Sequence, residues 1–190
     1  MAMRLQKAIV LRPLPMAWIV AALVWAVLAQ GISPTLAQSP TTSPSPQTLN
    51  AQAFLRLAHS SAVLQARAAQ LAASRDTRPE VKSFAQRMVE FRREHISKLL
   101  TAARERTLAV SPTPEFEHRV ILENLEPLDF LALSRRYAEV QVQALEQEVQ
   151  GYTGGESSPD EWVGAFARDS RPDLQRLLDE ARQVRQGVGP

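Results

Sequence analysis

The chain has 190 residues, with 22 Lys and Arg against 20 Asp and Glu, 45% hydrophobic residues, 13 Pro, 7 Gly and no Cys. A chain of that length holds one ordinary domain with an extension and is too short for a multidomain enzyme. Without Cys there can be no disulfide scaffold, thiolate metal site, cysteine nucleophile or lipid-modified N-terminal cysteine.

The N-terminal region carries its charge in one place. Arg4, Lys7 and Arg12 are the only charged residues before Arg56. Without residues 1–37, 19 basic residues face 20 acidic ones, so the basic pI reflects the leader and gives no argument for nucleic acid. Met16 to Ala29 is an uninterrupted apolar run. It falls short of the roughly 20 residues of a membrane span and fits the apolar core of a secretory signal. Thr35-Leu36-Ala37 supplies small residues for cleavage before Gln38, and Val27-Leu28-Ala29 is a second candidate site. If the leader is retained, residues 16–32 would act as a membrane anchor. Residues 38–50 (QSPTTSPSPQTLN) are uncharged and rich in Ser, Thr and Pro, which predicts a semi-extended linker.

From Asn50 onward the spacing is helical, and residues 51–186 are expected to form one helical domain followed by a tail at 187–190. Asn50 is the expected N-cap of a first helix with Phe54, Leu57, Ser61, Leu64, Ala68 and Leu71 on one stripe. Thr77 and Glu80 have capping-box spacing, and Pro79 suits a first helical position. The second helix carries Val81, Phe84, Met88, Phe91, His95 and Leu99 inward and ends near Arg106. A longer connection follows, opened by Ser111-Pro112-Thr113-Pro114 and holding a short helical piece from Glu115 to Leu125. The third long helix is expected from Leu128 to Gly151, with Leu131, Ser134, Ala138, Leu145 and Val149 inward and Phe130, Tyr137 and Ala144 on the flank. Gly151 to Ser157 reads as a turn, and Ser158-Pro159-Asp160-Glu161 as a helix start with Ser158 at the N-cap and Pro159 at the first helical position. Helix four carries Trp162, Phe166, Leu174, Leu177, Leu178, Ala181 and Val184, with a kink expected at Pro172. The predicted class is all-α: a ferritin-like four-helix bundle with one long crossover between helices two and three, with a plain up-down bundle as the alternative.

Bundles of this connectivity often hold two metals through Glu-x-x-His pairs. Among the three His, only His118 has a carboxylate three residues earlier, Glu115, and that pair lies on the crossover. His95 falls on the apolar stripe and reads as a partly buried His hydrogen-bonded across an interface, while His59 reads as surface or flank. An unusual cation site would have to draw on His95, Glu115 and His118, with Glu139 or Glu146 nearby. No Gly-x-Ser-x-Gly elbow or phosphate-cradling glycine loop occurs. The pairs Arg92-Arg93 and Arg135-Arg136 read as solvated or ion-paired. The expectation is therefore no catalytic residue, no metal and no other cofactor.

The run Val81-Lys82-Ser83-Phe84-Ala85-Gln86-Arg87-Met88-Val89, with Phe54-Leu55 upstream and Leu71-Ala72 between, resembles the first helical hairpin of the family called domain of unknown function 4142. Leu125 to Tyr137 and Pro172 fall where that family has its third and fourth helices, so the resemblance covers about residues 51–185. It implies an exported bacterial envelope or periplasmic protein with a ferritin-like bundle and no established activity. Relatives often carry Asp-His where this chain has Phe91-Arg92, His at Leu145 and Leu177, and an acidic residue at Gln65. A permanently charged guanidinium at Arg92 would repel a bound cation.

The functional expectation is an exported, non-enzymatic interaction or structural module of the bacterial envelope. Its partner would be an unidentified envelope protein or a second copy, with membrane contact only through a retained leader. The competing expectation is a ferritin-like metal-binding protein with a non-standard His/carboxylate site.

Overall fold

A computed structural model of the chain describes residues 50–189 apart from Asp76. The expected leader, its cleavage sites and the linker up to residue 49 lie outside the described residues. All regular structure among the described residues is helical: α1 (Ala51–Ser74), α2 (Pro79–Glu105), α3 (Phe116–Leu125), α4 (Phe130–Gly155) and α5 (Glu161–Val188). The closest packing is α1 on α2 and α4 on α5; α1 also meets α4, α3 lies on α1 and α4, and α2 touches α5 only sparingly.

Local chemistry sets most of the boundaries. Asn50 caps α1 as its sequence position predicts, its side-chain oxygen accepting from the Ala53 N–H at 2.8 Å. The capping box expected at Thr77 and Glu80 does not form. Thr77 Oγ1 instead donates to the Ala72 carbonyl at 2.8 Å, Glu80 pairs with Arg78, and the α2 N-cap is Arg78 without a side-chain cap. The Thr hydroxyl finds the free carbonyls at the end of α1 before it can serve the start of α2. At its other end α2 stops in a Schellman turn: the Leu108 N–H reaches the Ala103 carbonyl at 2.8 Å and the Thr107 N–H reaches Arg104 at 3.3 Å. This turn requires Thr107 at φ 55°, a left-handed conformation that costs a β-branched residue about 1 kcal/mol or more. Thr107→Gly is accordingly expected to stabilise the fold by roughly 1 kcal/mol in urea unfolding.

Two further boundaries differ from expectation. The turn predicted at Gly151 to Ser157 is helical as far as Gly155. Buried Tyr152 anchors this last stretch, and a Cβ on Gly155 would come within 3.3 Å of both Phe54 and Ala167. Close packing thus makes use of the glycines that would otherwise favour a turn. The N-cap of α5 is Asp160 rather than Ser158, its carboxylate accepting from the N–H groups of Trp162 at 3.0 Å and Val163 at 3.2 Å. The helix runs through Pro172.

The core is one apolar cluster built from α1, α2, α4 and α5, with Leu125 of α3 closing over it. The buried face of α1 only partly follows the predicted stripe: Phe54, Leu64 and Ala68 are buried as expected, Leu55, Ala58, Ala62, Ala69 and Ala72 are buried beside them, and Leu57 is 47% exposed. Small alanines let α2 and α4 approach closely, so they define the face that larger side chains suggested elsewhere. Tyr137, expected on the flank, is fully buried, whereas Leu131, expected inward, is exposed. His59, expected at the surface, is buried, and burial lowers its pKa.

Candidate functional site

The most unusual feature of the core is its polarity. Arg92 of α2 has no solvent exposure, and around it stand Gln65 of α1 and Gln141 and Glu148 of α4, all buried. Helical spacing brings them inward: Arg92 is one turn before His95, and Gln141, Glu148 and Tyr152 follow one face of α4. The Arg92 guanidinium grips the Glu148 carboxylate with two bonds, Nη1 to Oε1 at 3.0 Å and Nη2 to Oε2 at 2.6 Å. Nη2 also donates to Gln65 Oε1 at 2.7 Å, and Gln65 Nε2 returns to Glu148 Oε2 at 2.9 Å and to Ser61 Oγ at 3.0 Å. Three residues from three helices thereby close a ring of charge-assisted bonds, the strong class of hydrogen bond. Arg92 Nε, Gln141 Oε1 and the Tyr137 hydroxyl make no hydrogen bond within the protein. Burial raises the Tyr137 pKa well above its ordinary value, so the phenol stays protonated.

One turn along, His95 Nε2 meets the Tyr152 hydroxyl at 2.8 Å, the cross-interface bond expected from the sequence. Burial, reinforced by the Arg92 charge, lowers the His95 pKa to about 4, and burial pushes Tyr152 well up, so both are neutral near pH 7. Phe54, Trp162 and Phe166 enclose them in tilted and edge-to-face contacts with centroids 5.1–6.3 Å apart.

Glu115 and His118 do a different task. Ser60 Oγ of α1 accepts the Glu115 N–H at 2.8 Å and lies 2.6 Å from His118 Nδ1, fastening the start of α3 to α1. Glu115 also lies 3.8 Å from Arg56. Glu139 pairs with Arg136 and Glu146 with Arg182, both at the surface. Among the described residues, no group of three or more His, Asp or Glu is placed to hold a metal ion. His95, Glu115 and His118 are thus not gathered into one such site. Between α1, α3 and α4 a groove of about 190 Å³, mostly apolar, runs from Leu57 and His118 down to Glu148 and Tyr152.

A family model described as "Domain of unknown function (DUF4142)" matches residues 35–184. The chain belongs to the DUF4142 family. No curated protein and no solved structure matches it. In this DUF4142 protein, two of the positions at which the resemblance implied ligands, Leu145 and Leu177, are part of the apolar core, and the other two, Gln65 and Arg92, bind Glu148. The donor set does not fit a metal ion. A cation would have to take both oxygens of Glu148 from Arg92 and then sit beside a guanidinium that cannot lose its charge. Periodicity alone did not reveal Glu148, Gln141 or Tyr152 as core polar residues. The signal available was their spacing of seven and four along one face of α4.

Proposed function

We propose that this DUF4142 protein is an exported, non-enzymatic module of the bacterial envelope, its four long helices forming a ferritin-like bundle with α3 on the crossover. Its role is to bind an envelope protein or a second copy of itself. The observation that carries this reading is the closed Arg92–Glu148–Gln65 ring, which fills the centre of the fold with the protein's own cation and carboxylate. The basic-then-apolar leader and the Pro-rich stretch after it support export. Phe116 and Phe130, 65% and 64% exposed, support a contact role, since large apolar groups left in water favour association. Among the described residues no helix is long and apolar enough to cross a membrane, and a retained leader is the membrane attachment this reading allows.

The test is made on protein isolated from its native envelope fraction. The expected result is an intact mass beginning at Gln38, a cooperative thermal transition unchanged by chelator, and no stoichiometric metal. Unfolding on chelation, or one equivalent of iron, manganese or zinc, would overturn the reading.

A further inference from the structure

The seam between α2 and α5 is sparsely packed, and a groove of about 230 Å³ opens there above His95. Phe91 and Phe166 are its aromatic walls, their rings 5.6 and 5.5 Å from the imidazole. Lys98 stands on the α2 rim, and Asp169 and Asp173 stand on the α5 rim. His95 is 4% exposed and lines the groove, yet only its Nε2 is bonded, to Tyr152 on the core side. The two nitrogens of an imidazole point in nearly opposite directions, so Nδ1 is turned toward the groove without a partner. The Tyr152 hydroxyl has Nε2 as its one hydrogen-bond partner. In the tautomer where that hydroxyl donates, the ring proton sits on Nδ1.

The rims do not satisfy each other. Lys98 and Asp169 make no ion pair, and Asp173 meets only exposed Arg176, one turn along its own helix. The other cations at this seam are paired: Arg92, stacked 5.1 Å over Phe91, with Glu148, Arg87 with Glu180, and Arg106 with Asp160. A simple cation in the groove would face Lys98; a simple anion would face two carboxylates. A ligand carrying both charges meets neither conflict.

We propose that this groove binds a small zwitterion of the α-amino acid class with an apolar side chain. Its carboxylate pairs with Lys98 and accepts from His95 with the ring proton on Nδ1, its ammonium pairs with Asp169 and Asp173, and its side chain lies over the imidazole against the rims of Phe91 and Phe166. The seam continues past Lys98 and Phe166 toward Trp162, which leaves room for an aromatic side chain.

Calorimetric titration of the purified chain with L-phenylalanine tests the site, with phenethylamine and 3-phenylpropionate as probes lacking one charge each. Saturable 1:1 binding of L-phenylalanine is expected, with each truncated probe weaker by roughly tenfold or more, the scale of one lost charge-assisted bond. Asp169→Asn with Asp173→Asn, and separately Lys98→Met, should weaken L-phenylalanine by a similar factor. These residues are exposed, and circular dichroism confirms that the variants fold. No saturable binding of L-phenylalanine, equal binding of phenethylamine, or an unchanged affinity in the Asp double variant would each overturn the proposal.

Discussion

Arg92→Ala is expected to destabilise the fold by about 3–5 kcal/mol, because it leaves Glu148 as an unpaired carboxylate in the core. Glu148→Ala should cost a similar amount for the mirror reason, stranding a guanidinium that has no exposure to water. The informative comparison is the combined replacement Gln65→Leu, Arg92→Met and Glu148→Leu. It removes every charged member of the ring and its bridging amide together, and apolar groups of similar volume take their place. Desolvating two charges offsets most of their mutual attraction, so this variant should be close to the parent or more stable. Urea unfolding at pH 7 measures all three. A loss below about 1 kcal/mol for Arg92→Ala would mean that the Glu148 carboxylate finds water or a proton once its partner is gone.

Acid should unfold the protein through His95. In the folded state burial holds its pKa near 4, whereas in the unfolded chain it takes its ordinary value of 6.5. Between these values the unfolded chain binds a proton that the folded chain does not, so stability falls as pH drops from about 6.5 and the loss is complete below about 4. The difference amounts to about 3 kcal/mol. His59 and His118 are lowered by burial as well and steepen the same limb. Thermal or urea unfolding from pH 7 to pH 4 should therefore show a decline that His95→Gln flattens by about 3 kcal/mol. An unchanged slope in that variant would assign the acid limb to carboxylates instead.

The helices themselves were readable because apolar spacing near 3.6 is a local property, and so were the short helix between α2 and α4 and the inward placement of His95. The cap at Asn50 was readable for the same reason. The buried face of α1 was readable only at Phe54, Leu64 and Ala68, because alanines at 58, 62, 69 and 72 weigh little in a hydrophobic stripe yet permit close helix approach. The polar ring was not readable. Its members are separated by 27, 56 and 83 residues, and periodicity assigns charged residues to the solvent face by default. Only the packing of α1, α2 and α4 against one another brings Gln65, Arg92 and Glu148 to the same height. The extended reach of α4 through Gly155 was hidden in the same way, since the anchoring of Tyr152 against Phe54 is a tertiary contact.

The ring also acts as an alignment key. Apolar seams of Leu and Ala tolerate sliding, because one aliphatic contact is much like the next. If α2 slipped by one turn, about 5.4 Å, the Arg92–Glu148–Gln65 ring would come apart and its charges would lose their matched partners inside the core. The correct alignment of the helices is thus chosen less by what it gains than by how severely its neighbours are penalised.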